Sequence, residues 1–199
     1  GRVPYDPNLP VTTAWDLGIA DSTAIFMVQK AKHEQYYRVI DYYEDTGEGL
    51  HHYIKELQSR PYVYDRHLFP HDVMVRELGS GHSRYETLMN LGVRPTVVPK
   101  LSVQDGIEAV RGLIPRCYFD RGNVSDGLKH LRHYHRQFND RTGDWKDKPN
   151  HDKSSHACDA FRYLAVGLRD DNADSYQTAA KTGKFNGRPV MVAMDTTFG

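Results

Sequence analysis

No stretch of this chain stays apolar long enough to cross a bilayer, and no secretory leader opens it. The expectation is a protein without membrane contact that is not secreted. Cysteine is scarce. Cys117 and Cys158 form no CxxC pair, which excludes a disulfide framework and points to reduced thiols. Net charge is lacking too: 26 Lys and Arg stand against 26 Asp and Glu, so no uniformly basic coat is available for nucleic acid. GxxxxGK[ST], HExxH and GxSxG do not occur. A phosphate-loop ATPase, a zincin protease and a serine hydrolase of the nucleophile-elbow type are thereby set aside. There are no internal repeats and no low-complexity tracts. "HLRHYH" has no accompanying cysteine or carboxylate set that would make it a zinc site.

What is there suits one medium domain. The 199 residues are 39% hydrophobic and 26% charged, enough to bury a sizeable core. The charge is unevenly spread. Between Arg94 and Arg136 eight Lys or Arg face only four acids, with His130, His133 and His135 as latent charge. Such a segment is either a solvated helical face or a local basic surface.

The opening "GRVPYDPNLP" is punctuated by proline and reads as a linker, residues 1–10. "VTTAWDLGI", "STAIFMVQK" and "EQYYRVIDYYE" are strand-like runs with tight connections, a meander of three antiparallel strands. Helix and strand patterns then alternate. Helices are expected at "TGEGLHHYIKELQS", "GSGHSRYETLMNLG", "SVQDGIEAVRGLI", "NVSDGLKHLRHYHRQF" and "SSHACDAFRYLAVGLRD", and strands at "YVYDRHLFP", "VRPTVVP" and "RCYFD". Ser83 and Glu86 have capping-box spacing, and Gly92 closes that helix. "NDRTGDWKDKPNHDK" reads as a loop. The folded domain is placed at 11–169, and the polar, glycine-containing 170–199 as a partly flexible tail. The fold class is α/β: a mixed central β-sheet with three antiparallel N-terminal strands and helices on both faces, the first strand central.

Three carboxylates stand out. Asp16 sits mid-run in "TAWDLG", on the small face of its strand with Thr12, Ala14 and Gly18, opposite Val11, Thr13, Trp15 and Leu17. A buried carboxylate needs a partner, so an arginine, a backbone cap or a cation is required there; an Asp ending a strand in a turn is the bland alternative. Asp72 follows "FPH" after a strand. Asp159 lies early in the last helix, nearly opposite the apolar stripe of Ala157, Ala160, Phe161, Leu164, Ala165 and Leu168. That placement suits a solvated Asp, although Tyr163 and Val166 on the same side are not solvent-seeking.

Taken together, "AWDLGxxDST", "PHD" and "SHxxDAFRYL" resemble the nuclease domain of the large terminase subunit of tailed bacteriophages, over about Val11 to Arg169. The resemblance implies a ribonuclease H-like fold, with Asp16, Asp72 and Asp159 as catalytic acids that bind two divalent cations, Mg²⁺ or Mn²⁺, and cut double-stranded DNA. Asp21 matches a further acidic residue that some members place near the metals; on the residues alone it is a turn Asp ahead of Ser-Thr. Three hard carboxylate oxygens suit such cations, and a pair of them activates water and stabilises the leaving oxygen of a phosphodiester. His156, one turn before Asp159, is placed to orient a ligand or to contact substrate. Arg84, Lys100 and Lys153 are candidate phosphate contacts, each equally readable as a surface charge.

The same resemblance implies an endonuclease that cuts viral DNA concatemers during genome packaging in the cytoplasm of an infected bacterium. It brings in as partners an ATPase domain preceding residues 1–10, the small terminase subunit, the portal protein and DNA. Apart from the resemblance, the polar tail after Asp170 is readable as a docking segment for the portal. Two other classes compete: a resolvase or transposase of the same fold, and a non-catalytic module that binds DNA or a protein partner.

Overall fold

Strand alternation decides the centre of the molecule. The computed structural model describes residues 1–18, 22–31, 34–76, 81–133, 136–139, 144–149, 155–182, 184–185 and 188–189. The expected meander is present as β1 (Val11–Asp16), β2 (Ser22–Gln29) and β3 (Tyr37–Thr46), antiparallel throughout. Helix α1 (Leu50–Gln58) leads to β4 (Tyr64–Phe69), which returns parallel to β1 on its free edge. Next come α2 (Arg84–Asn90), β5 (Pro95–Val97), α3 (Val103–Leu113), β6 (Cys117–Phe119) and α4 (Ser125–His133). The six-stranded sheet runs β5-β4-β1-β2-β3-β6, with β1 and β2 in the middle. β2 is buried along its whole length, as a central strand covered on both faces must be.

The period of two divides the core into two layers. Val11, Trp15, Ile25, Met27, Ile40 and Phe69 point to the layer closed by Tyr53, Ile54 and Leu57 of α1 and Leu88 of α2. Trp15 is fully buried there, stacked on Phe69 with ring centroids 4.9 Å apart. Ala14, Ala24, Phe26, Val28 and Leu68 point the other way, to α3, α4 and the long helix α5 (Ser155–Thr182). The strand positions beneath α5 are small at Ala14 and Ala24, and α5 answers with Ala157 and Ala160. Gly167 extends this close fit, since a Cβ there would lie 2.7 Å from Leu68 Cδ1 and 3.2 Å from Val98 Cγ1.

The local signals at α2 are met. Ser83 accepts from the Glu86 amide, Glu86 reaches back to the Ser83 amide, and Gly92 ends the helix at φ +83°. Three expectations need correction. The helix expected to run to Phe138 gives way to a strand at Arg136, and the expected loop contains another strand. β7 (Arg136–Asn139) pairs antiparallel with β8 (Asp144–Pro149), Phe138 opposite Trp145. Two aromatics with strand preference outweigh the polar turn residues between them. Helix α5 also continues twelve residues past Asp170 to Thr182. After Gly167 the sequence offers no glycine or proline until Gly183, so nothing in the chain stops it earlier. Beyond it Lys184–Phe185 and Arg188–Pro189 pair as two short strands.

A buried polar chain joins β1 to β4. Trp15 Nε1 donates to Thr13 Oγ1 at 2.7 Å, and Thr13 Oγ1 lies 2.7 Å from His67 Nδ1. Thr13 Oγ1 thus accepts from Trp15 and makes its second bond with the His67 ring. Burial pushes the His67 pKa down from 6.5 to about 4. The unfolded chain therefore binds the proton more tightly between those values. This contribution to stability is complete above pH 6.5 and is lost as the pH falls towards 4. Denaturant titrations at pH 7.5 and 4.5 should show the wild type losing about 2–3 kcal/mol more than His67→Gln. Equal losses in the two proteins would mean that His67 is not the titrating group.

Candidate active site

The site grows from the carboxyl ends of two adjacent parallel strands. β1 ends on Asp16, whose side chain follows Ala14 onto the α5 face. β4 ends at Phe69, and Pro70, in extended conformation, starts a 3-10 turn over His71–Met74 that carries Asp72. The first turns of α5 lie across the same edge of the sheet. His156 Nδ1 stands 2.9 Å from Asp16 Oδ2, both side chains mostly buried. The ionised carboxylate can only accept, so Nδ1 carries the proton in this bond. One turn on, Asp159 Oδ1 is 3.0 Å from Arg162 Nη2, with only 21% and 17% of the two side chains exposed.

Asp16 is the electrostatic focus. Burial raises its carboxyl pKa above the ordinary value, and the nearby Asp72 charge adds to the rise. The hydrogen bond and charge of His156, and Arg162 further off, oppose it without cancelling it. Asp120 makes the contrast. It accepts from the amides of Val3, Gly122 and Asn123, and these hydrogen bonds, Val3's foremost, hold its pKa down. Asp41 is likewise satisfied, by Arg60 at 2.9 Å and Tyr62 at 3.1 Å. Those acids are held where they stabilise the chain. Asp16 is held where its charge is costly.

Tyr163 joins the group. Its hydroxyl is pushed up to about 12, first by burial and then by the charges of Asp16 and Asp159. Arg84, the first residue of α2, donates to the Leu17 carbonyl at 3.3 Å, which brings its guanidinium to the end of β1. Lys100 is exposed in the connection between β5 and α3. Asp21 and Lys153 lie outside the described residues.

Asp16, Asp159 and His156 are thus brought together, with Asp72 close enough for its charge to act on Asp16. Asp72 itself is exposed. Among the described residues no three His, Cys, Asp or Glu side chains form a ready-made metal cage. The donor chemistry nevertheless suits hard divalent cations: carboxylate oxygens, one of them buried with a deficit of positive charge. Asp159 is not the solvated residue that its place on the helical wheel suggests. The face beside it is closed, with Val166 only 4% exposed. Arg162 and Tyr163 are the members that sequence reasoning missed. Arg162 follows Asp159 at the i,i+3 spacing of an ordinary surface pair, and that spacing was the one available signal. A further acid, Glu44, lies two strands along the same row through the pairings Asp16↔Ala24 and Ala24↔Glu44. It is engaged locally, by Tyr42 at 2.6 Å and His130 at 3.1 Å.

No family model matches the chain, and no curated protein matches it in sequence. Solved structures do. The large terminase from the thermophilic bacteriophage D6E superimposes with a TM-score of 0.64 at 14% identity, covering 85% of this chain and 42% of that one. The P22 large terminase nuclease domain gives 0.62 at 19% identity, covering 84% and 86%. The large terminase nuclease domain of bacteriophage SPP1, solved with bound Mn, gives 0.56 at 17% identity, covering 81% and 86%. The chain thus spans less than half of the D6E protein but most of each nuclease domain. At these identities the likeness is one of architecture: this chain has the ribonuclease H-like fold seen in large-terminase nuclease domains.

Proposed function

We propose that this chain is a divalent-metal-dependent endonuclease that cuts double-stranded viral DNA concatemers during genome packaging. The observation that carries the proposal is the mostly buried Asp16 at the carboxyl edge of β1, its pKa raised by burial, with the charge of Asp72 acting on it and Asp159 one turn past its partner His156, on this fold. Asp16, Asp72 and Asp159 would hold two cations, Mg²⁺ or Mn²⁺, with Asp16 central. When bound, such a pair supplies a nucleophilic water and stabilises the leaving oxygen. The remaining work belongs to the chain. His156 fixes the Asp16 carboxylate through its 2.9 Å bond and keeps it oriented. Gly18, two residues past Asp16, has no side chain to crowd a phosphate approaching the carboxylate. Arg84 at the end of β1, with Lys100, Lys153 and Asp21 as further candidates, would contact the DNA backbone or the metals. An ATPase domain of the same protein, the small terminase subunit and the portal protein are the proposed partners, in the cytoplasm of an infected bacterium.

Supercoiled plasmid tests this directly. Nicking and linearisation are expected with Mn²⁺ or Mg²⁺, absent with chelator and absent in Asp16→Ala, Asp72→Ala and Asp159→Ala. Cutting that survives Asp16→Ala would place the activity elsewhere. Strong preference for branched DNA, or strand-transfer products, would move the assignment to the resolvases or transposases. Absence of both cutting and metal uptake would leave a binding module.

His156→Ala is expected to lower metal-dependent cutting about 10–100-fold while the fold is retained. Unchanged cutting would remove His156 from the site.

Stability gives an independent reading of Asp16. Because folding raises its pKa, its ionisation costs stability at neutral pH. Asp16→Asn keeps an acceptor for His156 and removes the charge, so the metal-free Tm should hold or rise, by roughly 2–4 °C per 1 kcal/mol relieved. A fall of several degrees would mark Asp16 as a structural anchor.

A further inference from the structure

Arg162 is held with unusual care for a helix-borne arginine. Its Nη2 reaches Asp159 Oδ1 at 3.0 Å, its guanidinium carbon lies 5.4 Å from the Tyr163 ring centroid, and its charge also acts on Asp16. The stem is confined as well. It crosses α3 at Gly106, where a Cβ would lie 2.8 Å from Arg162 Cγ and would meet Cδ too. α3 carries this glycine in its interior, at a residue that is itself buried. A mid-helix glycine costs about 1 kcal/mol relative to alanine. The cost is explained if the position must admit the arginine stem. α3 and α5 are thereby fitted to each other at the point from which this guanidinium reaches Asp159.

The consequence concerns those acids. Asp159 Oδ1 is engaged by a permanent cation, and Asp16 by a histidine. The two carboxylates of this partly buried site are each supplied with a positive or proton-donating partner from α5 itself. We infer that Arg162 is a resident counter-cation of the acidic site: it occupies Asp159 in the metal-free protein and is displaced from it when a divalent cation binds beside Asp16. Arg162 therefore sets the affinity of the site for metal. This rests on the metal-site reading of Asp16 and Asp159 given above. It makes Arg162 a positioning residue, acting on the cation through Asp159.

Calorimetric titration of Mn²⁺ into the whole chain, with thermal melts of the same samples, tests the inference without reading activity. Arg162→Gln should bind Mn²⁺ about tenfold or more tightly than wild type, since a full positive charge a few ångströms away is removed. Its metal-free Tm should fall, and the Tm gain on adding Mn²⁺ should grow. Arg162→Lys keeps the charge and should stay within about threefold of wild type. Gly106→Ala leaves the charge but crowds its stem out of place, and should shift affinity in the same direction as Arg162→Gln. It provides the readout if Arg162→Gln does not fold. Unchanged or weaker Mn²⁺ binding in the folded Gln and Gly106→Ala variants, beside a wild type that binds, overturns the role of Arg162 and leaves the metal site standing. No uptake by the wild type overturns both.

Discussion

The close approach of α5 to β1 is the constraint on which the rest depends. Ala14 and Ala24 on the sheet meet Ala157 and Ala160 on the helix, so the two backbones approach without large side chains between them. Only at that separation does His156 reach Asp16 at 2.9 Å, and only then does Asp159 share its surroundings with Asp16 and Tyr163. Larger residues at these four positions would lift the helix and part the two halves of the acidic group. Gly167 continues the same fit onto Leu68 and Val98. Packing and chemistry are therefore one problem in this protein.

The second determinant is the contrast among its buried acids. Asp41 and Asp120 are surrounded by donors, arginine and tyrosine for one and backbone amides for the other. The amides around Asp120 favour its ionised form. Among the described residues Asp16 is bonded by His156, has the charge of a second carboxylate acting on it and meets little solvent, so folding penalises its charge. A domain optimised for stability alone would replace such a residue with a neutral one. Retaining it is the kind of local conflict expected where a site awaits a charged ligand. Net neutrality of the chain is no obstacle to that, because the local potential, and not the sum over all residues, acts on a cation or a phosphate.

Much of this was legible from residues alone. Alternation along Val11–Asp16 determined the first central strand and the side on which Asp16 falls, and the apolar run within Ser22–Gln29 determined the second. Ser83, Glu86 and Gly92 determined the ends of α2. These are local effects of backbone geometry and capping, and they survive any tertiary context. The motifs around Asp16, Asp72 and Asp159 led to the fold by resemblance. At β7–β8 strand preference, and in the length of α5 a run free of helix breakers, outweigh the polar turn residues of the sequence.

Other features were settled only by the tertiary structure. A helical wheel places Asp159 away from the apolar stripe, but whether that side meets water depends on what packs there, and the Ser155–Leu168 part of α5 is covered on both sides. Arg162 reads as a surface partner until α3 is laid against it, because its confinement comes from Gly106, more than fifty residues away in the chain. The tie between Asp16 and His156 spans 140 positions. Periodicity and capping are properties of neighbours in sequence and can be read there. Burial, and the charge that burial makes costly, are properties of neighbours in space, and only the folded chain decides them.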